Sequence, residues 1–457
     1  MTMKKIKKTK STLKVKRKIN KTQIYKTLIV LLVFSIVVGG FITIYSHEDN
    51  TGMMTTVPPG GTTGNDSFDT SASETANTGL ENTQPANTEN YTNKTMQSIV
   101  AATVATATPT PTEPYLSMKG AYELSTKENI IILLIDRLDT KYINEVLDMY
   151  PDFFSDKLDG FTYYEDNISM YCRTFPAVPY LLSGHIFMYD TKARDFFKKA
   201  WQESKLLPLL KENNFTTKLY MESYYTYSNV SQLTGVADNI SAKDSKDIAA
   251  PISDFDFYKS LKKGFTTQSE KNNFAYYHMS GVHNPLSMNE KVEKVAKEKT
   301  SIRQQTQGCF EIVFEFIAQM KKIGLYESST IIIMGDHPKS EDITRVKDYK
   351  TTGLFIKRKG SAGTPMKVSK AQVSQENFIA TVLQEAGISH KEYGESVFEI
   401  PENEDRVRKF YYRYQSTKDK TVEDRKDLLE EFEIIGNGND FKNWKKKRDI
   451  NILYPYG

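Results

Sequence analysis

Two apolar runs that each end in an acid constrain this chain more than any other feature. Asn129-Ile130-Ile131-Ile132-Leu133-Leu134-Ile135 is continuous and β-branched, and it stops at Asp136-Arg137-Leu138-Asp139. Ser329-Thr330-Ile331-Ile332-Ile333-Met334 repeats the pattern and stops at Gly335-Asp336-His337-Pro338. A run that is apolar on both faces suits a strand buried within a parallel sheet. Between the two, Ile302 to Ile323 carries Phe310, Val313, Phe314, Phe316, Ile317 and Met320 at helical spacing, with Gly324 as its C-cap. Strand, helices and strand predict a doubly wound α/β domain with a mostly parallel sheet over residues 125–400. The charged stretch 401–457, with strand-like Glu431-Phe432-Glu433-Ile434-Ile435 and Trp444, reads as a small C-terminal subdomain packed on that body.

The first quarter of the chain is of another kind. Residues 1–26 hold eleven Lys and Arg and no acid; against a net +4 overall, the remainder carries −7. The basic excess is therefore a tail, which argues against a nucleic-acid-binding face. Thr27 to Ser46 is uncharged and mostly large and apolar. A helix of that length spans a hydrocarbon core of about 30 Å, and the basic tail would stay cytoplasmic. A cleaved signal peptide is the alternative, but Tyr45-Ser46-His47-Glu48 is a poor cleavage site. Residues 47–124 are rich in Thr, Asn, Ser, Gly and Pro and cannot bury enough apolar area to offset their ordering entropy. They read as a disordered stalk, which places the body outside a single-pass anchor. Cys172 and Cys309 are too few for a disulfide scaffold and read as unpaired thiols.

Open α/β sheets place ligands at the carboxyl ends of their strands. Asp136 and the pair Asp336-His337 stand at such ends, and acids with imidazole there can hold a divalent metal. The plainer role for Asp136 is to cap the following helix. A third segment, Arg173-Thr174-Phe175-Pro176-Ala177-Val178-Pro179, places prolines where a helix would begin. Thr174 there is either an ordinary N-cap or a hydroxyl that attacks a phosphorus bound at the helix start. In the fourth, Tyr276-Tyr277-His278-Met279-Ser280-Gly281-Val282-His283-Asn284-Pro285, Gly281 and Pro285 suggest a loop after a strand. His283 is as suited to a leaving group as to a structural hydrogen bond, and His278 more to the latter.

These pieces, in this order, resemble the sulfatase-like branch of the alkaline phosphatase superfamily, closest to lipoteichoic acid synthase-like proteins. The matching residues are Asp136; Asp159-Gly160-Phe161-Thr162-Tyr163-Tyr164; Thr174-x-Pro176-Ala177 leading to Leu181-Leu182-Ser183-Gly184; Gly281-x-His283-x-Pro285; Gly324-Leu325-Tyr326; the run to Gly335-Asp336-His337; and Tyr393-Gly394-Glu395-Ser396. The resemblance implies one divalent ion, manganese or alternatively magnesium, zinc or calcium, held by Asp136, Thr174, Asp336 and His337. It implies Thr174 as nucleophile and His283 at the substrate or leaving group. Thr174 occupies the slot that sulfatases fill with a Cys or Ser matured to an aldehyde hydrate, a maturation threonine does not undergo. Pro338 stands where the family reads Gly, and Asp136 where lipoteichoic acid synthases carry Glu.

The function expected from this resemblance is a membrane-anchored, extracytoplasmic phospho-transferase or phosphodiesterase acting on phospholipid headgroups or wall polymers such as lipoteichoic acid. A sulfatase-like hydrolase, a phosphoethanolamine transferase and a non-catalytic wall-binding protein on the same fold are the alternatives.

Overall fold

The computed structural model describes residues 113–242, 253–339, 346–413 and 428–454. The basic tail, the apolar segment 27–46 and the stalk up to residue 112 lie outside them. Among the described residues no helix is long and apolar enough to cross a membrane. The folded body takes in residues expected to end the stalk: Tyr115–Leu116 pairs with Ile240–Ser241, and Glu123–Ser125 with Thr266–Gln268. Leu116 and Leu124 are fully buried, so these pairings are fastened by packing as well as hydrogen bonds.

Seven strands form the central sheet: β1 (Asn129–Ile135), β2 (Phe161–Tyr164), β3 (Phe215–Tyr220), β4 (Asn272–Met279), β5 (Ser329–Met334), β6 (Leu354–Lys357) and β7 (Lys367–Ser369). Their order across the sheet is β7-β2-β6-β5-β1-β4-β3. Only β6 opposes its neighbours, so the sheet is mixed but mostly parallel. The two acid-ended runs of the sequence are the adjacent parallel strands β1 and β5, with β4 on the other flank of β1.

Every residue of β1 is buried because both faces are covered. Ile130, Ile132 and Leu134 join the core under α2 (Thr174–Ser183), α3 (Ala193–Glu203), α4 (Leu206–Glu212) and α7 (Phe378–Glu385). Ile131, Leu133 and Ile135 join the opposite core under α1 (Thr140–Met149), α5 (Asp254–Leu261) and α6 (Ile302–Lys322). The strand period of two sends successive side chains to the two layers. Helix α6 begins on Ser301, whose side chain accepts from the Gln304 amide, and ends before Gly324 at φ +72°.

A three-stranded antiparallel sheet, β8 (Arg408–Arg413), β9 (Leu428–Ile434) and β10 (Trp444–Asn451), forms the C-terminal part. It is docked by a backbone bridge from Tyr411 to Tyr171 and by a buried ion pair. The Arg408 guanidinium reaches the two oxygens of Asp166 at 2.6 and 3.1 Å and the Gly436 carbonyl at 2.6 Å. Burial keeps Asp166 above the ordinary carboxylate range even with this guanidinium beside it. Removing the cation leaves an uncompensated buried acid. Arg408→Ala is therefore expected to cost about 3–5 kcal/mol in denaturant unfolding; a loss below about 1 kcal/mol would show that the pair does not hold the subdomain in place.

Candidate metal centre and catalytic cleft

Register brings the site together. Leu134 pairs with Met334 on one side and with His278 on the other. The residues just past or at the ends of β1, β4 and β5 therefore stand side by side: Asp136, His278 and Asp336. Asp136 does not cap the next helix; Asp139 does, accepting from the Lys141 amide at 2.8 Å. Between them Arg137 takes φ +61°, which turns the chain sharply after β1. The loop leaving β4 crosses this turn at Gly281, at φ +63°, where a Cβ would come within 2.5 Å of the Asp136 backbone. A side chain there would displace Asp136.

One ligand atom from each of Asp136, His278 and Asp336 lies within 4.8 Å of the others, and all three residues are buried. Asp336 uses one oxygen to accept from the Arg137 and His337 amides, at 2.8 and 2.9 Å. Its other oxygen, one oxygen of Asp136 and Nδ1 of His278 are buried without hydrogen-bond partners. Buried polar atoms are normally paired, so the two unpartnered carboxylate oxygens suit a divalent cation. Electrostatics agree. Burial and the neighbouring Asp136 charge push Asp336 up. Burial also opposes ionisation of Asp136, but His278 and His337 outweigh it and hold it well below the carboxylate range. His337 is pulled up, because Asp336 and Asp136 overcome the effect of its burial. A divalent cation would relieve the repulsion that drives the two acids apart.

His337 is aimed by its neighbour. Its Nδ1 lies 2.6 Å from the Pro338 carbonyl, which can only accept, so Nδ1 carries the proton. Nε2 then faces Asp136 and Asp336 at 3.6 and 3.7 Å with its lone pair available to a metal. Pro338, with no amide hydrogen, loses nothing here: its carbonyl does the orienting.

Thr174 opens α2, but Phe175 and Pro176 depart from helical dihedrals and Arg173 is the cap residue, with no side-chain cap. The Thr174 hydroxyl is not used as a cap. It donates to Asp136 Oδ2 at 3.3 Å, the oxygen that also lies 3.3 Å from His278 Nε2. Thr174, His283 and the candidate ligands Asp136, His278 and His337 all line a cleft of about 520 Å³. The four residues expected as ligands thus converge, and His283, exposed, faces the same space. His278, for which the sequence favoured a structural hydrogen bond, lies within the strand and not in the loop after it. It is the penultimate residue of β4, carried to the centre by pairing with β1. Its strand Phe274-Ala275-Tyr276-Tyr277-His278 is a third buried run ending at a ligand type, a signal weaker for lacking β-branched residues. Cys172 and Cys309 are free and buried.

With the fold and cleft in view, the comparisons with known proteins fall into place. A family model for sulfatases matches residues 128–388, and the chain belongs to the sulfatase family. It is 29% identical over 246 residues to the lipoteichoic acid synthase of Staphylococcus saprophyticus, a match that takes in 48% of this chain and 34% of that protein. It is 29% identical over 201 residues to the lipoteichoic acid synthase of Staphylococcus aureus strain USA300, covering 38% of this chain and 28% of the relative. The chain thus spans about a third of the length of these relatives. Among solved structures, a protein of the alkaline phosphatase superfamily from Vibrio parahaemolyticus aligns with a TM-score of 0.47 at 16% identity, covering 78% of this chain and 91% of that one. A lipoteichoic acid synthase from Listeria monocytogenes aligns with a TM-score of 0.42 at 12% identity, covering 72% and 88%.

The donor set makes a direct prediction. Manganese at a hundredfold excess over its dissociation constant should stabilise the protein by about 2.7 kcal/mol, read as several degrees in the thermal midpoint and reversed by chelator. His278→Ala should weaken that metal affinity at least about tenfold, as loss of a ligand does. An undiminished manganese shift in this variant would remove His278 from the site.

Proposed function

We propose that the protein is a metal-dependent phospho-transferase or phosphodiesterase in which Thr174 is the nucleophile. The observation that carries this is the Thr174 hydroxyl held 3.3 Å from Asp136 on the wall of a cleft that also exposes His283. A divalent ion, when bound by Asp136, His278, Asp336 and His337, supplies Lewis-acid polarisation and lowers the cost of ionising a nearby hydroxyl. Manganese suits this mixed oxygen and imidazole set, as do magnesium and zinc.

The chain's own groups account for the rest. Asp136 Oδ2 accepts the Thr174 hydrogen bond and so orients Oγ1 toward the cleft. Oγ1 forms a bond to phosphorus, the bond from phosphorus to the leaving alcohol breaks, and the hydroxyl proton passes to water in the cleft. His283 Nδ1 lies 2.8 Å from the Asn284 carbonyl and donates to it; in the imidazolium form Nε2 also carries a proton, which it gives to the leaving oxygen and takes back from the acceptor hydroxyl or water in the second step. An acceptor hydroxyl, or water, then attacks the phosphothreonine and restores Thr174. Arg173, adjacent in sequence and lining the same cleft, supplies positive charge for the phosphoryl oxygens. Aldehyde-dependent sulfate hydrolysis is disfavoured, because threonine stands in the nucleophile position.

The substrates proposed are phospholipid headgroups or wall polymers such as lipoteichoic acid. This rests on the similarity to lipoteichoic acid synthases and on an outward-facing body behind the apolar segment 27–46. Thr174→Ala should lower manganese-dependent release of the headgroup alcohol at least about a thousandfold, with the metal-induced thermal shift largely kept. Turnover within about twofold of wild type would defeat the nucleophile assignment.

A further inference from the structure

The cleft contains one acid besides the metal cluster, Glu222, and it arrives with three tyrosines. The turn after β3, Glu222-Ser223-Tyr224-Tyr225-Thr226-Tyr227, forms one wall of the cleft directly over the metal residues. Tyr225 stacks on His278 with ring centroids 4.5 Å apart and planes at 21°. Tyr227 packs on Phe175, the neighbour of Thr174, at 4.1 Å. Those contacts fix the turn against the two halves of the site. Tyr224 lies beyond them, 4.2 Å from Tyr225 and 57% exposed, and its hydroxyl is within reach of Glu222. The outer ring therefore packs on Tyr225, is more than half exposed, and has its hydroxyl next to a carboxylate.

The opposite charge comes from other elements. Arg173 from the start of α2 and Arg413 from the end of β8 line the same cleft, Arg413 with its guanidinium 4.8 Å over the Tyr189 ring. The cleft thus offers guanidinium groups to an anion and a carboxylate with an open aromatic ring to a cation. We propose that the phosphoester taken by this cleft carries a cationic amine, its ammonium seated between Glu222 and Tyr224 while the phosphate meets Thr174. An ammonium suits this pair on two grounds: a carboxylate attracts it, and a tyrosine face attracts it through the ring quadrupole. A glycerol hydroxyl would gain only a hydrogen bond from Glu222 and nothing from the ring. The placement of the phosphate rests on the transfer chemistry proposed above; the binding of the ammonium does not.

Calorimetric titration of the manganese-loaded full chain in detergent, with phosphocholine and with glycerol 3-phosphate, tests the assignment. Phosphocholine should bind about tenfold more tightly, the scale of a cation–aromatic contact joined to a carboxylate. Glu222→Gln and Tyr224→Ala should each bring the ratio to within about threefold. Equal affinities in the wild type, or a ratio that survives both substitutions, would overturn the proposal. The ratio is internal to each protein, so a variant that merely loses stability lowers both affinities together, and the wild-type ratio alone decides if a variant does not fold. Binding is read without turnover. A protein that prefers phosphocholine but cleaves no diester keeps this inference and loses the transfer chemistry; Thr174-dependent turnover with equal affinities does the reverse. Turnover of phosphatidylcholine in micelles against glycerophosphocholine in water then separates a lipid headgroup from a soluble ester, and activity on either keeps the ammonium assignment.

Discussion

The parallel pairing of β5, β1 and β4 is the constraint on which the rest of the structure depends. It places two carboxylates and an imidazole at the end of one sheet, buried, where the two acids could not both be ionised without a counter-charge. The strands themselves are held by apolar packing on both faces, so the cost of that cluster is borne by two cores rather than by local hydrogen bonds.

Around the cluster, backbone groups do much of the positioning. The Arg137 and His337 amides hold one oxygen of Asp336, the Pro338 carbonyl sets the tautomer of His337, and Gly281 lets the β4 loop pass against Asp136. A second layer steadies that loop. Asp254, at the start of α5, accepts from the Ser280 and Gly281 amides at 2.9 and 3.0 Å. Gln305 of α6 donates to the Gly281 carbonyl at 2.7 Å. Burial raises Asp254 to about 6 in spite of the hydrogen bonds it accepts from the two amides. His283 is exposed to the cleft, yet it sits on a loop tied down by two helices.

Legibility in the sequence differed by residue. Asp136, Asp336 and His337 were readable because each follows a β-branched run too apolar to be anything but a buried strand. Thr174 was readable only as a pair of alternatives, since a residue before a proline-rich helix start is equally a cap or a nucleophile. In the structure its hydroxyl bonds Asp136 and does not cap the helix, and that bond joins residues 38 positions apart. The place of His278 was less legible because its strand is aromatic, Phe274-Ala275-Tyr276-Tyr277, and because Gly281 and Pro285 signal a loop just beyond it. The extension of the body back to Tyr115 was likewise hidden: strands of two and three residues have no period to detect.

The sequence by itself determined that 129–135 and 329–334 are buried strands, where they end, and which ligand types stand at their ends, because periodicity and β-branching act within a few residues. Tertiary structure decided which strands are neighbours and in what register. That choice admitted His278 to the cluster, left His283 on the cleft wall and brought Arg413 and the Glu222–Tyr227 turn to the same cavity. Strand register is set by packing between segments more than a hundred residues apart, and no local pattern encodes it.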